Sequence, residues 1–230
     1  MNKWESITRD LYREDNYRRM PEVYAFIRAE IAAAKPRTIL DIGCGDGSLF
    51  DGLSGLRLFG VDVSREQIAI ARKRGMDARY CNVDEKSLPF KTGSFDMVIA
   101  SEVIEHVLVP DRLLSEARRV LKDAGKFILT TPNLASFGKR LLLLFGKNPF
   151  IELSPLEPDA VGHVRYFIYP TLVTLLSRNG WRVVKHTSDV INFDGSGRLC
   201  SRTLARIAPG FGRSILCVLE KQHDAAISHR

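Results

Sequence analysis

Apolar residues in this chain fall into short β-branched runs, and most of the stretches between them repeat their apolar positions every three to four residues. The runs at 38–42, 57–63, 78–81, 95–101 and 126–131 read as buried strands, and the periodic stretches at 49–53, 66–74 and 111–121 as helices. Gly75 closes the second of these helices as a natural C-cap. Further on, 170–178 reads as a helix ended by Asn179-Gly180, and 181–186 and 213–220 as a closing pair of strands. Residues 1–35 read as one or two helices, with Tyr12, Tyr17, Tyr24, Phe26 and Ile27 among charges and Pro36 as the stop. Strands alternating with helices predict an α/β fold.

Two stretches depart from this alternation. Residues 134–150 carry Phe137 and the run Leu141–Phe145 among basic side chains, although the strand they follow already ends the sheet, so the pattern predicts a helical lid. Residues 151–160, with Pro155 and Pro158, read as loop, and 189–211 is basic and glycine-rich with no readable structure.

The candidate chemistry starts at the turn after the first strand, Asp41-Ile42-Gly43-Cys44-Gly45-Asp46-Gly47-Ser48. A glycine-dense turn between a strand and a helix lets the backbone approach a nucleotide. A dinucleotide fingerprint would place its third glycine at Ser48, so that fingerprint is incomplete. Asp41 adds a carboxylate where a pyrophosphate would need room without negative charge, and it suits a cationic ligand instead. About twenty residues on, Asp62 ends the second strand, where a carboxylate can accept hydrogen bonds from both ribose hydroxyls of a nucleoside. NAD sites use the same device. Ser64 with Gln67 makes the better helix cap, which leaves Asp62 available for that role.

The turn at 41–47, followed by Asp84, Leu88-Pro89-Phe90, Ser94-Phe95-Asp96, Glu105-His106-Val107, Gly125 and Pro132-Asn133, resembles the class I S-adenosylmethionine-dependent methyltransferases. The match is similar throughout to the small-molecule enzymes that include the ubiquinone-pathway O-methyltransferases, and it is strongest over 38–133. The resemblance implies a Rossmann-like, doubly wound α/β sheet of seven strands, mostly parallel with one antiparallel strand near the edge and helices on both faces. It implies one domain over 1–230, divided into N-terminal helices at 1–35, a cofactor core at 36–133, a lid at 134–168, and a C-terminal helix and strands at 169–222. S-adenosylmethionine is the implied cofactor and S-adenosylhomocysteine the product. The implied cofactor residues are Asp41, Gly43, Cys44, Gly45, Gly47, Asp62, Val63, Val83, Asp84, Ser101 and Glu102. In that family Asp84 receives the adenine amine and Val83 packs on the ring.

Methyl transfer needs alignment and exclusion of water, and a base only where the nucleophile is protonated. His106 and His163 are placed to serve as that base, or to anchor loops by bonds to backbone. Arg165 could hold an anionic substrate group or make a surface ion pair. No metal is expected, since Glu102 and Glu105 read as the start of a helix and Asp189 and Asp194 fall in the unreadable loop.

Composition changes little. The chain has 230 residues, 45% hydrophobic and 27% charged, a globular balance. Its net charge of +7 is spread over groups at 9–19, 139–147 and 198–213 without the interleaved aromatics that stack bases, so no stable nucleic-acid complex is expected. Cysteines 44, 81, 200 and 217 show no metal or CxxC spacing and read as reduced thiols of a cytoplasmic protein, with Cys44 chosen for its small size. The N-terminal residues do not read as a signal segment. The acceptor stays open: a small molecule, with an oxygen nucleophile and an apolar or lipid-linked body, reached through peripheral membrane contact of the lid. A nucleic-acid or protein methyltransferase and an NAD-dependent reductase are the alternatives. Oligomeric state is not legible.

Overall fold

The computed structural model describes residues 20–149, 162–193 and 199–222. The elements, in order, are α1 (Pro21–Ala34), β1 (Thr38–Ile42), a 3₁₀ turn (Ser48–Phe50), β2 (Arg57–Asp62), α2 (Arg65–Lys73), β3 (Asp77–Tyr80), β4 (Phe95–Ser101), α3 (Pro110–Val120) and β5 (Leu121–Pro132). Then come α4 (Phe137–Leu144), α5 (Tyr169–Arg178), β6 (Trp181–Thr187), β7 (Ile191–Asn192), β8 (Cys200–Ser201), α6 (Arg202–Ile207), a 3₁₀ turn (Pro209–Phe211) and β9 (Ser214–Lys221).

The main sheet has seven strands in the order β3-β2-β1-β4-β5-β9-β6. Every pairing from β3 to β5 is parallel, and β9 runs antiparallel to both β5 and β6. The expected single antiparallel strand is therefore β9, next to the edge. Strand β1 is interior, between β2 and β4, and its alternating side chains feed two cores. Leu40 and Ile42 join the one built around Phe95, Phe127 and Trp181, while Ile39 joins the one with Val23, Ile27 and Ile31 of α1. Pro21 opens α1, the left-handed Lys35 ends it with its N–H on the carbonyl of Ile31, and its buried Val23, Ile27 and Ile31 form one stripe. Trp181 fixes the other edge: its ring lies 4.8 Å from that of Phe127 and its Nε1–H donates to the carbonyl of Leu114 at 3.3 Å.

Several motif residues prove to be architectural. Leu88 donates its N–H to Glu116 at 2.7 Å, while Arg119 binds that same carboxylate and donates to the carbonyls of Leu88 and Phe90. Asp96 accepts from the backbone of Arg37 and Thr38, the Thr38 hydroxyl and Lys122. These bonds outweigh the desolvation that opposes them and hold its carboxyl down to about 2. It tethers the start of β1 to β4, at the end of the sheet away from the glycine turn.

The structure corrects some sequence expectations. The helix expected at 49–53 is a 3₁₀ turn, because Gly47 in the left-handed region leads straight into it. Glu102 and Glu105 do not start a helix: Glu102 itself is left-handed at φ 55°, 104–106 form a turn, and the helix waits for Pro110. Strand five begins at Leu121, directly after α3, with a register shift between Phe95 and Met97. The helix expected within 134–150 spans Phe137–Leu144. The basic stretch 189–211 contains the β7–β8 ribbon and α6, while Tyr12, Tyr17 and Asp194 lie outside the described residues.

Candidate functional site

The carboxyl ends of β1, β2 and β4 meet at one place, and the glycine turn lies across it. Gly43 sits at φ 75°, and a Cβ there would come within 2.5 Å of Val103, so the turn after β1 and the turn after β4 touch only because position 43 lacks a side chain. Gly43 and Cys44 donate their amides to the carbonyl of Val61 at 2.8 and 3.1 Å, pinning the turn over β2. Cys44 is buried, and its thiol is pushed up by that burial and by nearby Asp41 and Asp62, which suits a spacer rather than a nucleophile.

Two carboxylates end neighbouring strands here in contrasting states. Both oxygens of Asp62 are held by the backbone, each carrying a second lone pair: one accepts from Gly45 N–H at 2.9 Å and the other from Ser64 N–H at 2.8 Å. Asp41 is 4% exposed, and its Oδ1 has no hydrogen-bond partner among the described residues. Burial, reinforced by the charge of Asp62, holds the Asp41 carboxyl well above the usual carboxylate range. Tyr24 of α1 reaches the same turn: it bonds Ser48, and Asp41 and Asp46 add to the burial that pushes its phenol up. Tyr24 was legible only as a helical aromatic.

Asp84 accepts from the amides of Leu108 and Val109 at 3.0 and 2.9 Å, so it links the turn after β3 to the entry of α3. Val83 beside it is buried and Val63 half-buried. At the end of β4, Ser101 and Glu102 share Thr130: the Thr130 hydroxyl lies 3.0 Å from Ser101 Oγ and donates to Glu102 Oε1 at 2.7 Å. Desolvation, with the charge of Asp189 adding to it, raises the Glu102 carboxyl to about 7.

His106 and His163 come together, with ring centroids 4.8 Å apart. Burial, helped by the positive charge of Lys139, lowers His163 to about 4, so it is neutral at physiological pH. Lys139 belongs to α4 and acts on Glu102 as well, which puts the first turn of the expected lid within electrostatic reach of this cluster. Arg165 donates to the carbonyls of Val107 and Leu108; it straps the segment down rather than presenting a free guanidinium. Glu105 also lies here, fully buried, and one atom from each of Glu105, His106 and His163 falls within 4.8 Å of the others. The sequence reading named both histidines as candidate bases but did not join Glu105 to them, because the members come from two distant segments.

Residues 40–129 match the methyltransferase domain family. Over 190 residues the chain is 28% identical to a ubiquinone biosynthesis O-methyltransferase of Xanthomonas oryzae pv. oryzae, covering 78% of this chain and 76% of that one. Over 195 residues it is 31% identical to a Mycolicibacterium smegmatis protein named "Probable S-adenosylmethionine-dependent methyltransferase", covering 82% and 68%. Among solved structures, one from Thermotoga maritima described as a "SAM-dependent methyltransferase, possible histamine N-methyltransferase" superposes with a TM-score of 0.62 at 26% identity, covering 90% of this chain and 96% of that one.

Proposed function

The chain belongs to the class I S-adenosylmethionine-dependent methyltransferases, and from that premise we propose that it methylates an oxygen of a small acceptor with an apolar body. The observation that carries the cofactor assignment to particular residues is Asp41 Oδ1, a buried acceptor without a partner beside a turn whose glycines admit a ligand's backbone approach. An α-ammonium group fits that need, whereas a pyrophosphate would add a second negative charge. Asp41, Gly43, Gly45 and Gly47 would then hold the methionine end, with Cys44 giving room and Ser101 and Glu102 closing it from β4. Asp62 and Val63 would take the ribose, and Val83 and Asp84 the adenine. When bound, S-adenosylmethionine supplies a methyl group already activated by its sulfonium.

The chain's own part is to align the acceptor, exclude water and remove a proton. A neutral His163 can accept one, and His106 stands beside it. Its Nδ1 lies 3.2 Å from the carbonyl of Gly162, which fixes that ring. The first test is thermal. S-adenosylmethionine or S-adenosylhomocysteine at about 100-fold over Kd should add roughly 2.7 kcal/mol of stability. A shift with NADH and none with either of these ligands would sink the proposal and favour a reductase.

Helix α4 supports the apolar acceptor. None of its residues is buried, and Leu144 and Phe145 are 75% and 73% exposed. Its Arg140 lies over the ring of Phe211, and Phe211 is itself exposed, as are Leu204 and Ile207 of α6. Lys139, Arg140 and Lys147 lie in and just beyond α4, and exposed apolar side chains with cations beside them in the chain suit a lipid-linked acceptor at an anionic membrane surface. Replacing Leu142 and Phe145 by Ser should leave cofactor affinity and melting temperature near the wild-type values, while co-sedimentation with phosphatidylglycerol vesicles and turnover of an apolar acceptor fall. A loss of stability or of oligomeric state ahead of vesicle binding would mean that the helix packs on protein, and would refute the lid.

A further inference from the structure

We propose that Glu105, His106 and His163 form a binding site for one divalent transition-metal ion. Glu105 is 1% exposed; its Oε2 accepts the Thr131 hydroxyl at 2.9 Å, and its Oε1 has no hydrogen-bond partner among the described residues. The Nε2 atoms of His106 and His163 each lie 4.0 Å from that Oε1. This is too long for a hydrogen bond. With His106 Nδ1–H assigned as donor to Gly162, His106 Nε2 carries a lone pair, so two acceptors face each other across the gap. A cation answers that arrangement. Metal–nitrogen and metal–oxygen bonds of about 2.0–2.2 Å each would close the gap with side-chain shifts of less than about 1 Å.

The site is built rather than incidental. Val164 and Arg165 donate their amides to the carbonyl of Glu105 at 2.9 and 3.2 Å, and the Arg165 side chain binds the carbonyls of Val107 and Leu108. The segment carrying His163 is thereby fastened along the turn carrying Glu105 and His106. The Nδ1 bond to a backbone carbonyl is the kind of outer contact that orients a ligating imidazole. The ligating forms are the neutral imidazoles and the ionised carboxylate, so binding would depend on pH. Two imidazole nitrogens with one carboxylate favour Zn²⁺, Mn²⁺ or Co²⁺ over Mg²⁺ or Ca²⁺.

The role of the ion rests on the methyltransferase proposal above. The cluster adjoins Glu102, at the end of β4 assigned to the methionine part of the cofactor. With the ion bound, His163 would serve as its ligand rather than as the base. The acceptor hydroxyl, taken as an open ligand, would have its pKa lowered so that its proton passes to bulk solvent before water is excluded for methyl transfer. The new oxygen–carbon bond would then form as the carbon–sulfur bond breaks, with its electron pair left on sulfur.

The test uses the full chain, stripped with chelator and titrated with Co²⁺ by visible spectroscopy and calorimetry, with S-adenosylhomocysteine binding measured on the same samples. The wild type should take up one equivalent of Co²⁺ with ligand-field bands. Glu105→Gln and His106→Asn should each weaken it by about 100-fold, roughly 2.7 kcal/mol. His186→Asn, which removes a histidine outside the cluster, should bind Co²⁺ as the wild type does. Equimolar Mg²⁺ should fail to displace Co²⁺. Absent bands in the wild type, or wild-type affinity in both cluster variants, would overturn the site, and displacement by Mg²⁺ would overturn the choice of ion. Binding of S-adenosylhomocysteine without Co²⁺ would remove the metal and leave the methyltransferase reading standing; Co²⁺ binding without S-adenosylhomocysteine would do the reverse.

Discussion

Asp62→Ala is expected to lose the cofactor and a large part of the chain's stability together. The first effect follows from ribose recognition: two charge-assisted hydrogen bonds of about 1.5–3 kcal/mol each correspond to a loss of two orders of magnitude or more in affinity. The second follows from the structure alone. The same carboxylate satisfies Gly45 N–H and Ser64 N–H, so Ala would leave two donors without partners, at about 1–3 kcal/mol each. The glycine turn and the start of α2 would loosen together. Sequence reasoning would have left the fold intact, because it treats Asp62 as free to face the ligand. Asp62→Asn keeps one acceptor oxygen and should lie between wild type and Ala in both calorimetry and denaturant unfolding. Wild-type affinity in Asp62→Ala would take this residue out of the site.

What the sequence disclosed and what it hid divide along the range of the interactions involved. Strands β1, β2 and β4 were legible because a parallel strand covered on both faces reads as a continuous apolar run, and Leu40, Val61 and Val98 are each buried. The α2 start was legible because its cap is local: Ser64 Oγ accepts from Gln67 N–H, as expected. Glu102 was misread as helical because its left-handed backbone is imposed from β5, where Thr130 takes its amide and bonds its side chain. Likewise 189–211 carried no local signal. Its structure hangs on Asp189, which collects the Ser214 amide and the Arg213 side chain from the strand that follows. The histidine cluster was hidden for the same reason, since His163 meets Glu105 only after the segment beyond the lid folds back. Motif identity was also an incomplete guide to role, for Leu88, Phe90 and Asp96 belong to the resemblance yet brace the sheet.

Asp41→Asn should do the opposite to stability while doing similar harm to binding. The wild-type carboxylate is buried, has one oxygen without a partner, and stands next to a second negative charge at Asp62. Its folded-state pKa is therefore raised above the unfolded value of about 3.9. An acid raised in this way binds its proton more tightly in the folded chain, so its contribution to stability falls as pH climbs from the unfolded value toward the folded one. At neutral pH the cofactor-free wild type carries that cost. Asn removes the charge at nearly constant volume, and the cofactor-free variant should gain about 1–3 kcal/mol, or several degrees in Tm. The gain should vanish below about pH 4, where the wild-type carboxyl is protonated in both states. Cofactor affinity should fall by about two orders of magnitude, because the ammonium loses its counter-charge in a site with little solvent. A stability gain with unchanged affinity would mean that Asp41 is strained for some purpose other than the cofactor. A loss of both would mean that the carboxylate is satisfied in solution. Only the crossed result, a steadier fold with a weaker site, agrees with a strand end whose partner is the ligand.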